Sequence, residues 1–255
     1  MTGSRPESVL ITGGASGIGL ACAGAFAAEG YSVGLFDLDR EKAEAAAAGL
    51  GIGDRATAFC GSVTEEGDLA AAVAAMEDRF GGVDCVVTSA GIVKVEPAFE
   101  VAPETFRNTL EVNVLGTWLA AQAAARSMAK TGGGSIVMLG SVYGAGGAPH
   151  RAAYCASKGA VHMLVESLAV EWGGLGIRVN AVAPTGVRTP MIDRLVAEGL
   201  YDMKGVHGRT PLGRLAEPEE VADACLFLAG RRAAMVTGHV LRVDGGWLAN
   251  GYILN

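Results

Sequence analysis

The stretch that decides the fold is VLITGGASGIG, at residues 9–19. Its first three residues have the composition of a short buried strand, and residues 20–29 after it have the composition of a helix. Glycines at positions 13, 17 and 19 allow a tight turn and let backbone N–H groups approach a phosphate. A strand, a glycine-rich turn and a helix in this order predict a dinucleotide-binding βαβ unit, although an ordinary strand-to-helix turn could have the same residues.

Short apolar runs alternate with alanine-rich helical stretches along the rest of the chain. This alternation predicts an α/β fold with a predominantly parallel sheet. No linker divides the sequence, so we expect a single Rossmann-type doubly wound domain over residues 1–255, with seven strands flanked by helices. The predicted strands are Ser8–Thr12, Ser32–Asp37, Arg55–Cys60, Val83–Ser89, Gly134–Gly140, Ile177–Ala183 and Val240–Val243.

Residues 186–215 interrupt this alternation. They mix glycines and prolines with short helical pieces directly after the sixth predicted strand. Such a composition at the carboxyl edge of a parallel sheet is typical of a mobile lid over a substrate, and we expect that role for this region.

The charge and composition restrict the partners. A formal net charge of −7 without a long basic run argues against nucleic acid or a membrane surface as a partner and favours a small molecule. Residues 9–28 are uncharged, but their five glycines argue against a membrane span. We see no secretory signal.

The five scattered cysteines predict reduced thiols and a cytoplasmic location. Neither the cysteines nor the histidines have metal-ligand spacing, so we expect no metal site.

An acidic residue ends the second predicted strand. Asp37 is placed to accept hydrogen bonds from the hydroxyls of an adenosine ribose, and its charge would repel a 2′-phosphate. Ala15, Ser16 and Leu38 supply no compensating positive charge, and Arg40 is the only near candidate. We therefore expect NAD as the cofactor and regard NADP as the weaker alternative.

The candidate chemistry begins with Tyr154 and Lys158, which i, i+4 spacing places on one helix face. A free phenol has a pKa of about 10, and a cation about 4 Å away would contribute roughly 4 kcal/mol, or about three pKa units. The pair alone fits a surface lysine beside a tyrosine equally well. Two further residues favour catalysis: Ser141, which ends the fifth predicted strand, and Asn113, a polar amide in an apolar helical segment.

Together these features resemble the classical short-chain dehydrogenase/reductase family, from Ser8 to Gly246. The motifs that carry the resemblance are the loop Thr12–Gly19, Asn113-Val114-x-Gly116, Ser141, Tyr154-x-x-x-Lys158 and Val179–Pro184. The resemblance implies that Tyr154 exchanges a proton with the substrate oxygen, which Ser141 orients. It further implies that Lys158 lowers the tyrosine pKa and holds the nicotinamide ribose, that Asn113 holds a water of a proton relay, and that Thr189 binds the nicotinamide carboxamide.

We expect the cofactor to contact residues from the ends of most strands, namely Gly13, Ser16, Gly17, Ile18, Gly19, Asp37, Leu38, Ser62, Val63, Ala90, Gly91, Tyr154, Lys158, Pro184, Gly186, Val187 and Thr189. Three positions depart from the family pattern. Thr88-Ser89 stands where Asn-Asn is common, Ser62-Val63 stands where an Asp that contacts adenine is typical, and Thr185 interrupts a usual Pro-Gly turn. None of them touches the expected acid/base residues.

The sequence therefore predicts an NAD-dependent oxidoreductase of secondary alcohols or ketones. A non-catalytic NAD sensor or scaffold on the same fold stays open as the alternative, and an isomerase or dehydratase ranks last. We expect the substrate to meet Ser141, Tyr143 and Tyr154 and to be a small polyol, sugar or cyclic alcohol. Further lining candidates are Val93, Lys94, Val142, His150, Arg151, Met191, Tyr201 and His207.

Three of these candidates are charged or titratable. Lys94, His150 and Arg151 fit contacts with a hydroxylated or anionic substrate, and they fit solvent-facing loop charges equally well. The resemblance also implies a homotetramer, in which the apolar tail packs at a subunit interface; its apolar residues are Trp247, Leu248, Tyr252, Ile253 and Leu254.

Overall fold

The structure is a computed structural model that describes residues 7–251. Seven strands form one sheet in which every pairing is parallel. The sheet order is β3-β2-β1-β4-β5-β6-β7. The strands are β1 Ser8–Thr12, β2 Ser32–Asp37, β3 Ala56–Cys60, β4 Cys85–Thr88, β5 Gly134–Leu139, β6 Ile177–Pro184 and β7 Val240–Val243.

The helices cover both faces of the sheet. They are α1 Gly17–Ala28, α2 Arg40–Gly49, α3 Glu66–Phe80, α4 Pro103–Leu110, α5 Gly116–Thr131, α6 Ala152–Trp172, α7 Pro190–Ala197, α8 Met203–Arg209 and α9 Pro218–Ala229. A π-helical turn, Glu111–Leu115, joins α4 to α5. Short 3-10 turns lie at Gly53–Arg55, Val142–Gly144, Gly173–Leu175 and Arg231–Ala233.

Alternation along the strands divides the core into two layers. On β1, Leu10 packs with residues of α3, α5 and α6, whereas Val9 and Ile11 pack with residues of α1 and α9. Because both faces are covered, the strands are apolar at nearly every position, as the sequence shows.

The strand order reverses next to β1. Chain connections after β1 run to one side through β2 and β3, whereas β4 lies on the other side of β1. The loops after β1 and β4 therefore diverge and leave a crevice at the carboxyl edge of the sheet, which is where α/β sheets of this kind bind ligands.

The predicted seven-stranded Rossmann-type fold is confirmed, and the strand positions agree within two residues. Arg55 belongs to a 3-10 turn rather than to β3, because Gly53 takes a positive φ of 58° just before it. Strand β4 is shorter than predicted at both ends. The segment around Asn113 is helical as predicted, but its hydrogen bonding is that of a π-helix.

The region expected to be a lid contains α7 and α8, and Val187 pairs with Ala216 at its base. In the tail, Trp247 is buried within its own chain. The tail residues 252–254 lie outside the described residues. No helix in residues 7–251 is long and apolar enough to cross a membrane, and those residues contain no cluster of three or more metal-ligating side chains.

Candidate active site

A cleft of about 330 Å³ occupies the crevice beside β1. It brings together most of the residues predicted to bind the cofactor: Gly13, Ser16, Gly17, Ile18, Asp37, Leu38, Ser62, Val63, Ala90, Gly91 and Thr189. The sequence missed several other lining residues, namely Phe36, Gly61, Ile92, Val112 and Pro190. Ile92 directly follows the predicted pair Ala90-Gly91. This adjacency in the chain is the signal by which the sequence could have indicated Ile92.

The glycine-rich loop has no room for side chains. A Cβ on Gly19 would lie 2.2 Å from the carbonyl oxygen of Gly13, and a Cβ on Gly13 would lie 2.8 Å from the Cα of Ala90. Gly13 and Gly17 both take positive φ angles. Gly19 is therefore a packing residue below the cleft, whereas Gly13 and Gly17 line it.

The N-terminus of α1 opens into this cleft. Its N-cap residue, Ser16, makes no side-chain capping hydrogen bond, and the first turn carries no acidic residue. The orphan N–H groups of the first turn and the helix dipole thus favour an anion at this position.

Asp37 lines the cleft at the end of β2. Its carboxylate accepts hydrogen bonds from the backbone N–H groups of Ala15, at 3.1 Å, and Asp39, at 3.3 Å. These bonds fix the carboxylate beside the glycine loop. Arg40, the nearest basic candidate, instead pairs with Glu44 at 3.6 Å on the solvent side of α2 and is absent from the cleft lining.

A smaller cavity of about 120 Å³ adjoins this cleft and holds the expected catalytic side chains. Ser141, Tyr154 and Lys158 line it together with Pro184 and Val187. Both cavities share a wall, formed by Ile18, Ser89, Gly91, Thr189 and Met191. A group bound in the cleft therefore has access to Ser141, Tyr154 and Lys158.

Lys158 is buried and donates a hydrogen bond to the carbonyl oxygen of Leu139, at 2.6 Å. Burial lowers the pKa of Lys158 to about 8. Its Nζ lies 5.7 Å from the centroid of the Tyr154 ring. The ammonium is thus anchored at the end of β5, next to the phenol.

Burial raises the pKa of Tyr154 to about 12, whereas a hydrogen bond with Ser141 and the charge of Arg151 lower it. The net shift of the Tyr154 pKa in the protein chain itself is therefore upward, and the expected lowering by Lys158 stays a prediction. A cation about 4 Å away would lower the pKa of a solvated phenol by about three units, but the phenol of Tyr154 is desolvated. In the structure, desolvation outweighs the charges.

Asn113 joins the cofactor cleft to the catalytic helix. Its side chain is fully buried; Oδ1 accepts from the N–H of Ile92 at 2.8 Å, and Nδ2 donates to the Ile92 carbonyl at 2.9 Å. Nδ2 also donates to Ser157 Oγ at 3.0 Å, and that hydroxyl donates to the carbonyl of Tyr154 at 2.7 Å. One amide thus links the loop after β4 to α6. Its expected role in holding a relay water stays a prediction.

Comparisons with known proteins agree with this geometry. A family model described as Enoyl-(Acyl carrier protein) reductase matches residues 13–248. The D-threitol dehydrogenase of Mycolicibacterium smegmatis is 40% identical, over 93% of this chain and 91% of the relative. The chain belongs to the short-chain dehydrogenase/reductase family.

Two further comparisons extend this assignment. The galactitol 2-dehydrogenase (L-tagatose-forming) of Cereibacter sphaeroides is 41% identical, over 93% of each chain. The solved structure of a short-chain type dehydrogenase/reductase from Mycobacterium ulcerans is 32% identical, with a TM-score of 0.90 over 96% of this chain and 91% of that one. As a member of the family, the chain is an oxidoreductase that uses a nicotinamide cofactor.

The cleft of this short-chain dehydrogenase/reductase fits such a cofactor. A side chain at Gly13 or Gly19 would clash with neighbouring backbone, so both glycines are needed for the tight turn at the start of α1, and the free N–H groups there suit the pyrophosphate. Thr189 lies against Gly17 and lines both cavities, which suits the nicotinamide end.

Some predicted residues of this short-chain dehydrogenase/reductase are not brought into either cavity. Gly186 faces the hydroxyl of Tyr201, which occupies the space that a side chain would need. The ring of Tyr143 packs edge-on against the ring of Tyr154, with ring centroids 6.4 Å apart. Lys94 pairs with Glu96 at 3.7 Å, and His150 takes a positive φ of 60° in the loop before α6.

The sequence also missed His162, one turn beyond Lys158 on α6 of this short-chain dehydrogenase/reductase. A Cβ on Gly140 would lie 2.6 Å from its Nε2, and a Cβ on Gly144 would lie 2.4 Å from its Cε1. The imidazole thus fills the space between the two glycines that flank Ser141. Burial and the charge of Lys158 lower its pKa. The i, i+4 spacing from Lys158 was the available signal.

Burial of Lys158 predicts a pH-dependent stability. Its pKa falls from 10.5 in the unfolded chain to about 8 in the folded chain, so the unfolded state binds more protons between these values. The free energy of unfolding of the wild type should therefore rise from pH 8 to pH 10.5, by roughly 3 kcal/mol relative to Lys158→Met. Urea denaturation across this range measures the difference. Lys204 is exposed and provides the control, because the free energy of unfolding of Lys204→Met should change with pH as that of the wild type does. The prediction is refuted if the free energies of unfolding of the wild type and Lys158→Met change in parallel with pH.

Proposed function

We propose that this oxidoreductase is an NAD-dependent dehydrogenase of secondary alcohols, with Tyr154 as the acid/base residue. The observation that carries the proposal is the cavity where Ser141, Tyr154 and Lys158 meet the cofactor cleft through a shared wall. When bound, the nicotinamide supplies the carbon that exchanges a hydride with the substrate. The protein then needs only to orient the alcohol and to move one proton.

Ser141 and Tyr154 act on the substrate oxygen. The Ser141 hydroxyl accepts from the Tyr143 N–H at 3.2 Å, which leaves its own proton for the substrate oxygen or for Tyr154. Because the pKa of Tyr154 is about 12, the phenol is protonated at neutral pH and is ready to donate during ketone reduction. For alcohol oxidation it must ionise, which the ammonium of Lys158 and the guanidinium of Arg151 favour.

The proposed substrate is a small polyol, sugar or cyclic alcohol. Two relatives carry names of polyol dehydrogenases, one of D-threitol and one of galactitol. The catalytic cavity of about 120 Å³ is small, and hydroxyl groups of Ser141, Tyr154 and Thr185 are among its lining side chains. A compact substrate with several hydroxyls suits both features.

The substitution Tyr154→Phe separates this enzyme from a non-catalytic NAD sensor. We expect the variant to lose alcohol oxidation and ketone reduction by about 10²–10⁴-fold, because it removes the proton donor and leaves the ring. NADH binding, measured by fluorescence titration, should stay within about three-fold of wild type. The assay follows absorbance of NADH with a panel of polyols, cyclic alcohols and ketones.

Tyr31→Phe is the matched control for that experiment. Tyr31 precedes β2 at the opposite edge of the sheet and packs edge-on against Phe26, so its hydroxyl should not affect turnover. Undiminished turnover in Tyr154→Phe would eliminate the mechanism. NADH binding by a wild type that turns over no alcohol or ketone would favour the sensor.

We propose that Asp37 makes the enzyme prefer NAD over NADP. Its carboxylate is fixed beside the loop at the ribose end of the cleft, and none of the described residues that line the cleft has a basic side chain. We expect kcat/KM with NAD to exceed that with NADP by at least about ten-fold, since a charge-assisted hydrogen bond contributes about 1.5–3 kcal/mol. The double variant Asp37→Ser, Leu38→Arg should reverse this order, because the exposed side chain at position 38 borders the cleft.

The control is Glu41→Gln, which removes a nearby exposed acid that is absent from the cleft lining. Equal kcat/KM for both cofactors in the wild type would show that Asp37 does not select the cofactor.

We also propose a cytoplasmic homotetramer. Five free cysteines suit a reducing compartment. A largely apolar surface groove runs along the π-helical turn, α5 and α6, lined by Leu110, Glu111, Val114, Leu115, Trp118 and Leu164. Such an exposed apolar face supports subunit contact.

A further inference from the structure

A row of three aromatic rings runs from the acid/base residue Tyr154 through Tyr143 to Trp247. The ring of Tyr143 packs edge-on against Tyr154, with centroids 6.4 Å apart, and against Trp247, with centroids 5.5 Å apart. Tyr143 is also the second residue after Ser141. Tyr143 and Trp247 therefore lie outside the cavity of Ser141, Tyr154 and Lys158, where a part of the substrate that extends past Tyr154 would meet them.

Arg151 contributes a positive charge to this group. Its guanidinium lies 5.7 Å from the centroid of the Tyr143 ring. Among residues 7–251 it donates only to two backbone carbonyls, those of Pro149 and Leu200, both at 3.3 Å. Within residues 7–251, no carboxylate lies within 4 Å of it. A guanidinium has five N–H donors, so Arg151 retains donors for a planar, bidentate anion.

Tyr143 and Tyr201 add neutral hydroxyl donors. Tyr201 comes from the region expected to be a lid, and Gly186 leaves the room that its hydroxyl occupies. Arg151 lowers the pKa of both phenols, but burial raises each pKa above its usual value. Both hydroxyls are therefore protonated at neutral pH and can donate to an anion near Arg151.

A second arginine reinforces the positive charge. The guanidinium of Arg209 stacks on Trp247 at 3.9 Å, and its buried Nε has no hydrogen-bond partner among residues 7–251. Nearby arginines behave differently, since Arg188 pairs with Glu217 and Arg214 pairs with Glu220. In a chain with a net charge of −7, Arg151 and Arg209 both act on Tyr143, and neither pairs with a carboxylate of residues 7–251.

We propose that Arg151, with the hydroxyls of Tyr143 and Tyr201, binds a carboxylate carried by the alcohol substrate. Among the small hydroxylated substrates proposed above, sugar acids and other hydroxycarboxylates are then preferred over neutral polyols. This inference rests on the proposed function, because it places the carboxylate next to the carbinol on which Tyr154 acts. Arg209 strengthens the site by its charge without contacting the carboxylate.

Matched pairs of ligands test this inference. Calorimetry in the presence of NADH, which cannot oxidise an alcohol, compares threonate with threitol and galactonate with galactitol. At least one sugar acid should bind ten-fold or more tightly than its polyol, and added salt should weaken only the binding of the acid. If both polyols bind as tightly as their acids, the inference is wrong.

Variants of Arg151 locate the site. Arg151→Met should reduce the preference for the acid to within about two-fold, and Arg151→Lys should restore part of it because the charge remains. Arg79→Met, which removes an exposed arginine at the end of α3, should leave the preference unchanged. An undiminished preference in Arg151→Met would overturn the assignment to Arg151.

Turnover, rather than binding, tests the proposed function. That function is wrong if the wild type oxidises none of these four compounds and no other alcohol of the panel, whatever the calorimetry shows. Binding of the acids that depends on Arg151 would still establish the carboxylate site.

Discussion

The side-chain amide of Asn113 holds together the two halves of the site. It satisfies both backbone groups of Ile92 at the edge of the cofactor cleft, and it reaches α6 through Ser157. An apolar side chain at position 113 would remove the partner of both half-buried backbone groups of Ile92, which costs up to about 1–3 kcal/mol for each. The π-helical turn around Asn113 is a costly local geometry that often marks a functional position. The relative position of cleft and catalytic helix depends on this contact.

Burial and charge oppose each other at the acid/base pair. Desolvation raises the pKa of Tyr154 and lowers the pKa of Lys158, so both groups are held towards their neutral forms. The nearby positive charges, Lys158 and Arg151, work against this at the phenol. Arg151 favours the ionised form of the Tyr154 phenol, and it retains N–H donors for the proposed carboxylate. It therefore connects the acid/base chemistry to the recognition of the substrate.

The sequence predicted the fold and the location of the site but not the details that depend on packing. The strand ends and the cluster of Ser141, Tyr154 and Lys158 follow from periodicity, glycines and motif spacing, which are local signals. The pKa of Tyr154 depends on burial, which no spacing reveals. The same holds for the contact of His162 with two glycines and for the stacking of Arg209 on Trp247, because these residues are far apart in the chain.

The most direct test of this account compares turnover with cofactor binding in Asn113→Leu, with folding checked by circular dichroism. The account predicts that kcat for alcohol oxidation falls at least about 100-fold, since a displacement of about 1 Å can cost this much. NADH affinity should change far less, because the glycine loop is intact. Thr117→Val, which removes a hydroxyl bonded to the Asn113 carbonyl, should stay close to wild type. A kcat for Asn113→Leu within about three-fold of wild type would contradict the account.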